Sequence, residues 1–400
     1  MTQSRIIKTC LCLVLLSSHC AQASFIESSI GTAIINDATA TYYNPAALLL
    51  LKDTQLIGLG ALGTTQSHFD GLTTYTNTGF TQTGSSQNRT NFFLPSLYLA
   101  GAPSDRFRLG LAVIGNNFNS DLDGHSILRY TTANNTIEDM DFVPAIGFKV
   151  NKLISLGASV TYSHAHFLFK PIIGFPDTNL PDSHSVNDTS ADAWGGDIGI
   201  LITPSKKVTM GFNYRSAITY NMSGKSIFSG IKTVSSYDYG FNFWTPARSV
   251  FSINYFQTPA LAYIATLQYI QWSIFKNVVL HDIASPAGIV KEATVPYNFH
   301  DAWVTTLGTN YRATTKLVLR AAATYSQRSS NGQFQIDTGD SLALGVSVGY
   351  TLMKNLIVDA SYSHLFFRDQ PIHVQRTLNL IDGTNAESID AMALKLTWNI

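Results

Sequence analysis

The chain has 400 residues, of which 45% are hydrophobic and only 13% are charged, and its formal net charge is zero. A disordered chain needs low hydrophobicity with high charge, and a nucleic-acid binder needs a surplus of basic residues, so both classes are excluded. The charged fraction also lies well below the roughly 25% of a typical soluble protein, which favours a surface that meets lipid on one side and water on the other.

Residues 1–23 read as a secretory signal peptide. Arg5 and Lys8 form a basic start, residues 9–16 an apolar core, and Ala21-Gln22-Ala23 a small-residue cleavage site. Eight apolar-core residues are too few to cross a bilayer, which takes about 20. The pattern therefore predicts export, with a mature chain that starts at Ser24.

Beyond the signal peptide no apolar run approaches about 20 residues, which excludes inner-membrane helices. All three cysteines, Cys10, Cys12 and Cys20, lie inside the signal peptide, so we expect neither a disulfide nor a Cys-ligated metal. No motif for a cofactor or a metal stands out.

Residues 24–53 contain Gly31, many small residues and the turn Tyr43-Asn44-Pro45-Ala46, without alternation of apolar and polar positions. About thirty such residues before the first predicted strand need a dry place to fold. A plug inside the lumen of a barrel is the natural interpretation.

From residue 54 onwards the chain alternates apolar and polar residues with period two, the signature of strands with two different faces. One example runs through Val208, Met210, Phe212 and Tyr214, which alternate with Thr209, Gly211, Asn213 and Arg215. If the apolar face meets lipid, the opposite face carries Arg215, Arg320, Asp359 and Lys395 into the lumen, which avoids a cost of about 2–4 kcal/mol for an Arg or Lys at the bilayer midplane.

The connections between these segments fall into two length classes. Six short turns lie near residues 102–106, 151–152, 204–207, 257–260, 312–316 and 352–355. Seven long polar segments lie near 65–91, 116–139, 164–190, 216–244, 273–300, 326–340 and 365–389. Together they join fourteen strands, and this asymmetry is typical of an outer-membrane barrel rather than of a secreted sandwich. Residues 54–400 are therefore predicted to form an all-β, 14-stranded antiparallel transmembrane barrel in the bacterial outer membrane.

Residues 36–48, Asn-Asp-Ala-Thr-Ala-Thr-Tyr-Tyr-Asn-Pro-Ala-Ala-Leu, resemble the plug segment of the outer-membrane long-chain fatty acid and hydrocarbon transporters of the FadL/TodX type. Five later stretches are similar to the same family in the same order: Val143-Pro144-Ala145, Tyr214-Arg215-Ser216, residues 271–275, Phe299-His300-Asp301-Ala302-Trp303, and residues 359–367. The resemblance covers nearly the whole mature chain.

This resemblance implies a monomer with a hatch of short helices at residues 24–53. It also implies a passive route: a hydrophobic ligand is caught between the long loops, passes to a luminal pocket, and leaves sideways into the membrane. In the family the exit lies at an inward kink of the third strand. Here that kink is expected at Gly115-Asn116-Asn117-Phe118, where alternation stops.

The resemblance further implies which residues meet the ligand. Ser24, Phe25 and Ile26 match the segment that reaches the luminal pocket, and Asn44-Pro45-Ala46 is the hatch motif. A carboxylate ligand needs a cation when it is buried. His300 stands where family members carry a basic residue, and Lys170 and Arg129 are further candidates.

Two other functions remain open. A polar-solute porin would need an open lumen, and a barrel for surface interaction would act through its long loops. An outer-membrane lipase lacks support, because there is no Gly-x-Ser-x-Gly elbow and no Ser, His and carboxylate set that the sequence brings together. We therefore expect a transporter without catalytic residues, whose partners are a hydrophobic small molecule and outer-membrane lipid, and no nucleic acid.

Overall fold

The computed structural model describes residues 31–76, 78–131, 133–174, 181–336, 339–375 and 379–400. The predicted signal peptide and the predicted ligand-binding residues Ser24, Phe25 and Ile26 lie outside the described residues.

The chain forms a closed, 14-stranded antiparallel barrel, which confirms the predicted fold class. An interrupted strand keeps one number here. The strands are β1 Gln55–Tyr75, β2 Thr81–Gly101, β3 Phe107–Leu122, β4 Ala133–Lys149, β5 Ile154–Ile173, β6 Ser183–Ser205, β7 Val208–Arg215 with Ile218–Ser229, β8 Thr233–Thr245 with Arg248–Phe256, β9 Leu261–Ile270 with Asn277–Ser285, β10 Gly288–Pro296 with Ala302–Arg312, β11 Leu317–Ser326, β12 Ser341–Met353, β13 Leu356–Phe367 with Gln370–Gln375, and β14 Asn379–Asn399.

The barrel closes where β1 pairs with β14 along its whole length, from Gln55 opposite Asn399 to Tyr75 opposite Asn379. Closure pairs the backbone groups of both edge strands, and lipid offers these groups no other partner. The predicted alternation is confirmed on β12, where the outward residues Leu342, Leu344, Val346, Val348 and Tyr350 are all exposed.

Three short helices precede the barrel: two 3-10 helices, Thr32–Ile34 and Pro45–Leu50, and one α-helical turn, Ala40–Tyr43. A further 3-10 helix, Trp272–Ile274, interrupts β9. Among the described residues, no helix combines the length and apolarity needed to cross a bilayer. The short helices before β1 fill one part of the lumen, and residues 31–53 are called the hatch below.

Six of the seven segments predicted as long loops are largely strand, whereas 326–340 is a connection, because β11 ends at Ser326 and β12 begins at Ser341. Residues 65–91 contain only the connection 76–80, because β1 continues to Tyr75 and β2 begins at Thr81. A strand that extends past the bilayer has water on its outer face, so its residues are polar and the alternation disappears while the backbone pairing persists. The six predicted short turns do lie between strands.

Four consecutive strands are broken inside the barrel. β7, β8, β9 and β10 are interrupted at residues 216–217, 246–247, 271–276 and 297–301. The gaps in β9 and β10 bring Trp272, Phe275, Tyr297 and Phe299 into the largest buried cluster of the protein. These breaks create the space in which the candidate site lies.

Candidate functional site

The hatch motif Asn44-Pro45-Ala46 forms the start of the second 3-10 helix. The side chain of Asn44 caps this helix, since its Oδ1 accepts a hydrogen bond from the Ala46 backbone N–H at 3.1 Å. Its Nδ2 donates to the carbonyl of Ala33 at 2.6 Å and to that of Ile200 on β6 at 3.4 Å. Pro45 stands at the first helical position, where a missing N–H costs nothing. One side chain thus joins both ends of the hatch to the barrel wall.

Five glycines in the barrel wall lie directly against the hatch. A Cβ on Gly199 would lie 1.8 Å from Asn44 Oδ1, and a Cβ on Gly157 would lie 2.1 Å from the Ala46 nitrogen. Three more glycines are covered equally closely by the hatch, namely Gly110 by Thr41, Gly147 by Leu49, and Gly211 by Ala33. These five glycines, on β3 to β7, are called the hatch seat. Only glycine lets the hatch backbone approach the wall this closely.

Buried charges also fasten the hatch to the far side of the barrel. Lys395 on β14 contacts Asp37 of the hatch at 3.1 Å and Asp359 on β13 at 3.7 Å, and Asp359 accepts a hydrogen bond from Arg320 at 2.7 Å. Arg320, Asp359 and Lys395 therefore face the lumen, as the alternation predicts. Their pairing offsets the cost of burying charge.

Arg215 connects the hatch to the centre of the lumen. Its Nε donates to Asp197 at 2.9 Å, and its Nη2 donates to the Tyr42 carbonyl at 2.6 Å. The guanidinium also lies 3.7 Å from the centroid of the Tyr42 ring, a cation–π contact. Arg215 and Tyr42 both line the cavity described next, so a movement of the hatch would change the cavity wall.

An apolar cavity of about 150 Å³ lies beside the hatch, at the level of the four strand breaks. Nine aromatic residues form one part of its wall. The Phe243 ring centroid is 4.7 Å from that of Phe167 and 5.5 Å from that of Phe275, and the Trp272 ring lies 5.7 Å from that of Phe275. The other aromatic lining residues are Tyr42, Phe118, Tyr220, Trp244 and Phe299. Such a wall suits a hydrophobic ligand with a few directing polar groups.

Polar side chains interrupt this apolar wall. Asp139, Asp141, Arg248 and Gln268 line the cavity, and Asp141, Arg248 and Gln268 are each at most 7% exposed. Asp139 accepts a hydrogen bond from Asn116 Nδ2 at 2.6 Å. The cavity therefore carries both signs of charge.

The predicted lateral opening lies at an interruption between β2 and β3. On β2, residues Asn88 to Phe93 pair with β3 and pairing resumes at Ser96. Leu94 and Pro95, opposite Asn116 and Gly115, have no partner on β3, although both are paired with β1. Pro95 has no N–H to donate, which explains the gap in the ladder. A Cβ on Gly115 would lie 3.2 Å from the Pro95 ring, so the two pack closely.

This interruption, called the ladder gap below, borders the cavity. Asn116 and Phe118 line the cavity, and the Phe118 ring centroid lies 6.0 Å from that of Phe92 on β2. Asn117 donates to Glu138 on β4 instead, at 2.6 Å. β3 itself is continuous and stays paired with β4 throughout this stretch.

The three predicted ligand cations lie apart from the cavity. Lys170 is exposed on β5, in phase with the outward residues Leu156 and Val160. His300 is exposed in the break of β10, where its Nδ1 lies 3.2 Å from the Asp301 carbonyl oxygen, although its neighbours Phe299 and Ala302 line the cavity.

Arg129 lies in the connection between β3 and β4, 3.7 Å from Asp182 and 4.3 Å from the Tyr130 ring centroid. Burial and a hydrogen bond to Asp182 raise the pKa of the Tyr130 phenol above its ordinary value. Arg129 and Tyr130 therefore lie outside the cavity lining.

Sequence reasoning missed Asp139, Asp141, Arg248 and Gln268 as lining residues. The period-two phase gave a usable signal, because Met140 and Phe142 on β4 are exposed and their neighbours must face inward. It could not reveal which inward residues meet across the lumen. Within the described part of the chain, no group of three or more His, Cys, Asp or Glu side chains is arranged to hold a metal ion.

Solved structures show the same fold. A Pseudomonas aeruginosa FadL homologue is 19% identical, with a TM-score of 0.83 and coverage of 93% of this chain and 96% of that one. The toluene transporter TbuX of Ralstonia pickettii is 16% identical, with a TM-score of 0.68 and coverage of 95% and 100%. The toluene transporter TodX of P. putida is 15% identical, with a TM-score of 0.69 and coverage of 93% and 98%. A comparison with curated proteins finds no match.

The sequence profile of the outer membrane protein transport family OMPP1/FadL/TodX matches residues 28–399. That match spans the hatch and all fourteen strands, and it agrees with the resemblance found in the sequence. The chain therefore belongs to the OMPP1/FadL/TodX family and is an outer-membrane transporter of hydrophobic compounds.

Proposed function

We propose that the protein moves long-chain fatty acids or similar hydrophobic compounds passively across the outer membrane, by luminal binding and lateral release into the lipid. The observation that carries the proposal is the position of the aromatic cavity, which touches the hatch through Tyr42 and the ladder gap through Asn116. A ligand in this cavity would have the hatch on one side and the ladder gap on the other.

The energetics favour an exit through the wall. Each methylene of an acyl chain gains about 0.8 kcal/mol on leaving water, so release into the periplasmic water would be steeply uphill. Release into the bilayer avoids this barrier and needs no energy source. For a carboxylate head, the cations in the cavity wall are Arg215 and Arg248 rather than His300, Lys170 and Arg129.

A second candidate substrate is a monoaromatic hydrocarbon. TbuX and TodX, which share the fold, are described as toluene transporters. The cavity volume of about 150 Å³ equals that of an engineered apolar cavity that binds benzene, and nine aromatic residues line it. The lining and size favour a ring compound, while the cavity arginines favour an acid.

Uptake by cells that lack their own transporter tests the proposal. Cells expressing the protein at the surface should take up labelled oleate or labelled toluene faster than cells with the empty vector, and the faster substrate decides between the two classes. Surface expression without a gain for either substrate would contradict the proposal. In planar bilayers, we expect the plugged barrel to be nearly silent, whereas large steady conductance would support a polar-solute porin.

A further inference from the structure

The six short turns of the barrel carry a surplus of positive charge. They connect β2 to β3, β4 to β5, β6 to β7, β8 to β9, β10 to β11 and β12 to β13. Their basic residues, called the basic ring below, are Arg106, Lys152, Lys206, Lys207, Lys316 and Lys354, whereas Asp105 is their one acidic residue. The chain as a whole has no formal net charge, so this surplus is a property of one end of the barrel.

The cations of the basic ring have no partner within the protein. All six are exposed, and none of their side chains makes an ion pair or a hydrogen bond among the described residues. At the opposite end, the described parts of the connections hold equal numbers of basic and acidic residues, namely Arg129, Lys232, Arg328, Asp123, Asp182 and Asp340. There Arg129 lies 3.7 Å from Asp182. The basic ring therefore has its charge available for anions outside the protein.

Aromatic side chains set the depth of the basic ring in the bilayer. The strand ends next to the short turns carry exposed aromatic residues on the outer face, namely Phe107, Tyr255, Tyr311, Tyr350 and Trp398. Such a girdle lies where the hydrocarbon meets the headgroups. Phe107 directly follows Arg106, and the other turns begin within a few residues of the girdle. The cations beyond the girdle therefore lie at the level of the lipid headgroups.

The distribution of the cations favours a lipid over a protein as their partner. They lie on five of the six short turns, and these five turns are spread over the strands from β2 to β13. The cations thus follow the circumference of the barrel instead of one side of it. A docking protein covers one patch, whereas lipid headgroups surround the whole barrel. Short turns of outer-membrane barrels face the periplasm, so the lipid concerned is that of the periplasmic leaflet.

We propose that the basic ring binds the phosphate groups of anionic phospholipids in the periplasmic leaflet of the outer membrane. Lys and Arg side chains at a bilayer surface attract anionic headgroups, and salt weakens this attraction by screening it. The ring thereby selects anionic lipid around the barrel and holds the short turns at the headgroup level. This inference does not depend on what the lumen carries.

Lipid selectivity of the purified full-length protein tests the basic ring. The protein is reconstituted in vesicles of phosphatidylcholine with a trace of spin-labelled phosphatidylglycerol or spin-labelled phosphatidylcholine. Electron paramagnetic resonance then measures the share of each labelled lipid that the barrel immobilises. One variant combines Lys152→Gln, Lys206→Gln, Lys207→Gln and Lys316→Gln, and a second variant replaces the same four residues by Arg and keeps the charge.

The matched control removes four exposed cations that lie outside the short turns, through Arg89→Gln, Lys225→Gln, Lys232→Gln and Lys291→Gln. It changes the net charge of the protein by the same amount as the first variant. The heat-dependent electrophoretic mobility of a folded barrel shows that each variant has folded before its lipid selectivity is compared.

We expect the native protein to prefer phosphatidylglycerol over phosphatidylcholine by about twofold or more, because the ring attracts the anionic headgroup. The four Gln changes should abolish most of this preference, whereas the Arg variant and the control should keep it. Salt at about 1 M should abolish it in the native protein, because exposed charges are then screened. No preference in the native protein, or an equal loss in the control, overturns the proposal. A preference that survives the four Gln changes overturns it as well.

Discussion

The hatch seat and the aromatic cavity lie side by side in one lumen, and their polar groups are satisfied in opposite ways. At the hatch seat, the Asn44 side chain makes three hydrogen bonds, and the wall glycines let the hatch approach the backbone of the barrel closely. In the cavity, four strands are broken, aromatic rings replace glycines, and Asp141 keeps an unpaired oxygen. The hatch region is packed without space for a ligand, whereas the region of the strand breaks leaves a cavity beside its buried cluster.

The largest effect is expected when a side chain is added to a glycine of the hatch seat. Gly199→Val would place a Cβ 1.8 Å from Asn44 Oδ1, which the packed hatch cannot accommodate. Overpacking typically costs about 1–3 kcal/mol, and here it would displace the hatch. We expect steady ion conductance in planar bilayers where the native protein is nearly silent.

The control for this variant is Gly58→Val on β1, because a Cβ on Gly58 meets nothing within 4 Å. It should leave the conductance at the native level. If Gly199→Val stays silent while it still folds into the barrel, the hatch does not depend on the seat.

Loss of the Asn44 side chain should have the next largest effect. Asn44→Ala leaves the buried Ala46 N–H and the Ala33 carbonyl without this partner, at about 1–3 kcal/mol for each group. We expect faster hydrogen exchange across the hatch and a smaller conductance than in Gly199→Val. Asn355→Ala, in an exposed turn, is the control and should exchange like the native protein. Unchanged exchange in Asn44→Ala would contradict the role of this side chain as the main hatch anchor.

On the cavity side, we expect truncation to affect binding rather than the hatch. Phe243 is in ring contact with Phe167, Phe275 and Tyr220, and Phe243→Ala removes this centre of the wall. The affinity for toluene or oleate should fall about tenfold, because roughly 25 cal/mol is lost for each Å² of apolar contact. Hydrogen exchange of the hatch should stay native.

A matched control lies on the same strand. Phe251 on β8 is 43% exposed and outside the cavity lining, so Phe251→Ala should bind ligand like the native protein. Equal losses in both variants would show that the cavity is not the binding site.

The smallest effect is expected at the ladder gap. Pro95→Ala restores a backbone N–H opposite Gly115 and allows the β2–β3 pairing to close. We expect uptake of the labelled substrate to slow about two- to threefold because the exit narrows, while ligand affinity stays native. Pro371→Ala, on the exposed end of β13, should not change uptake. A slowing in the control, or none in Pro95→Ala, would place the exit elsewhere.

The sequence alone determined the barrel, because the information that specifies it is local. Each strand states its own faces by alternation, so the inward positions of Arg320, Asp359 and Lys395 and the outward positions of Leu342 to Tyr350 follow from neighbouring residues. The short turns were equally readable. At the polar ends of β1 and β2 the sequence predicts loops, because a strand with water on its outer face carries no apolar period.

The tertiary structure decided which inward residues meet. Arg215 and Tyr42 are far apart in sequence, and so are Asn44 and Gly199. Strand pairing around the closed sheet brings each pair into contact. The four strand breaks align only after every register is set, and they decide that Asp141 and Arg248 share a cavity from which Lys170 and His300 are absent. A strand specifies its own two faces, but the position of a side chain across the lumen depends on the register of every strand between.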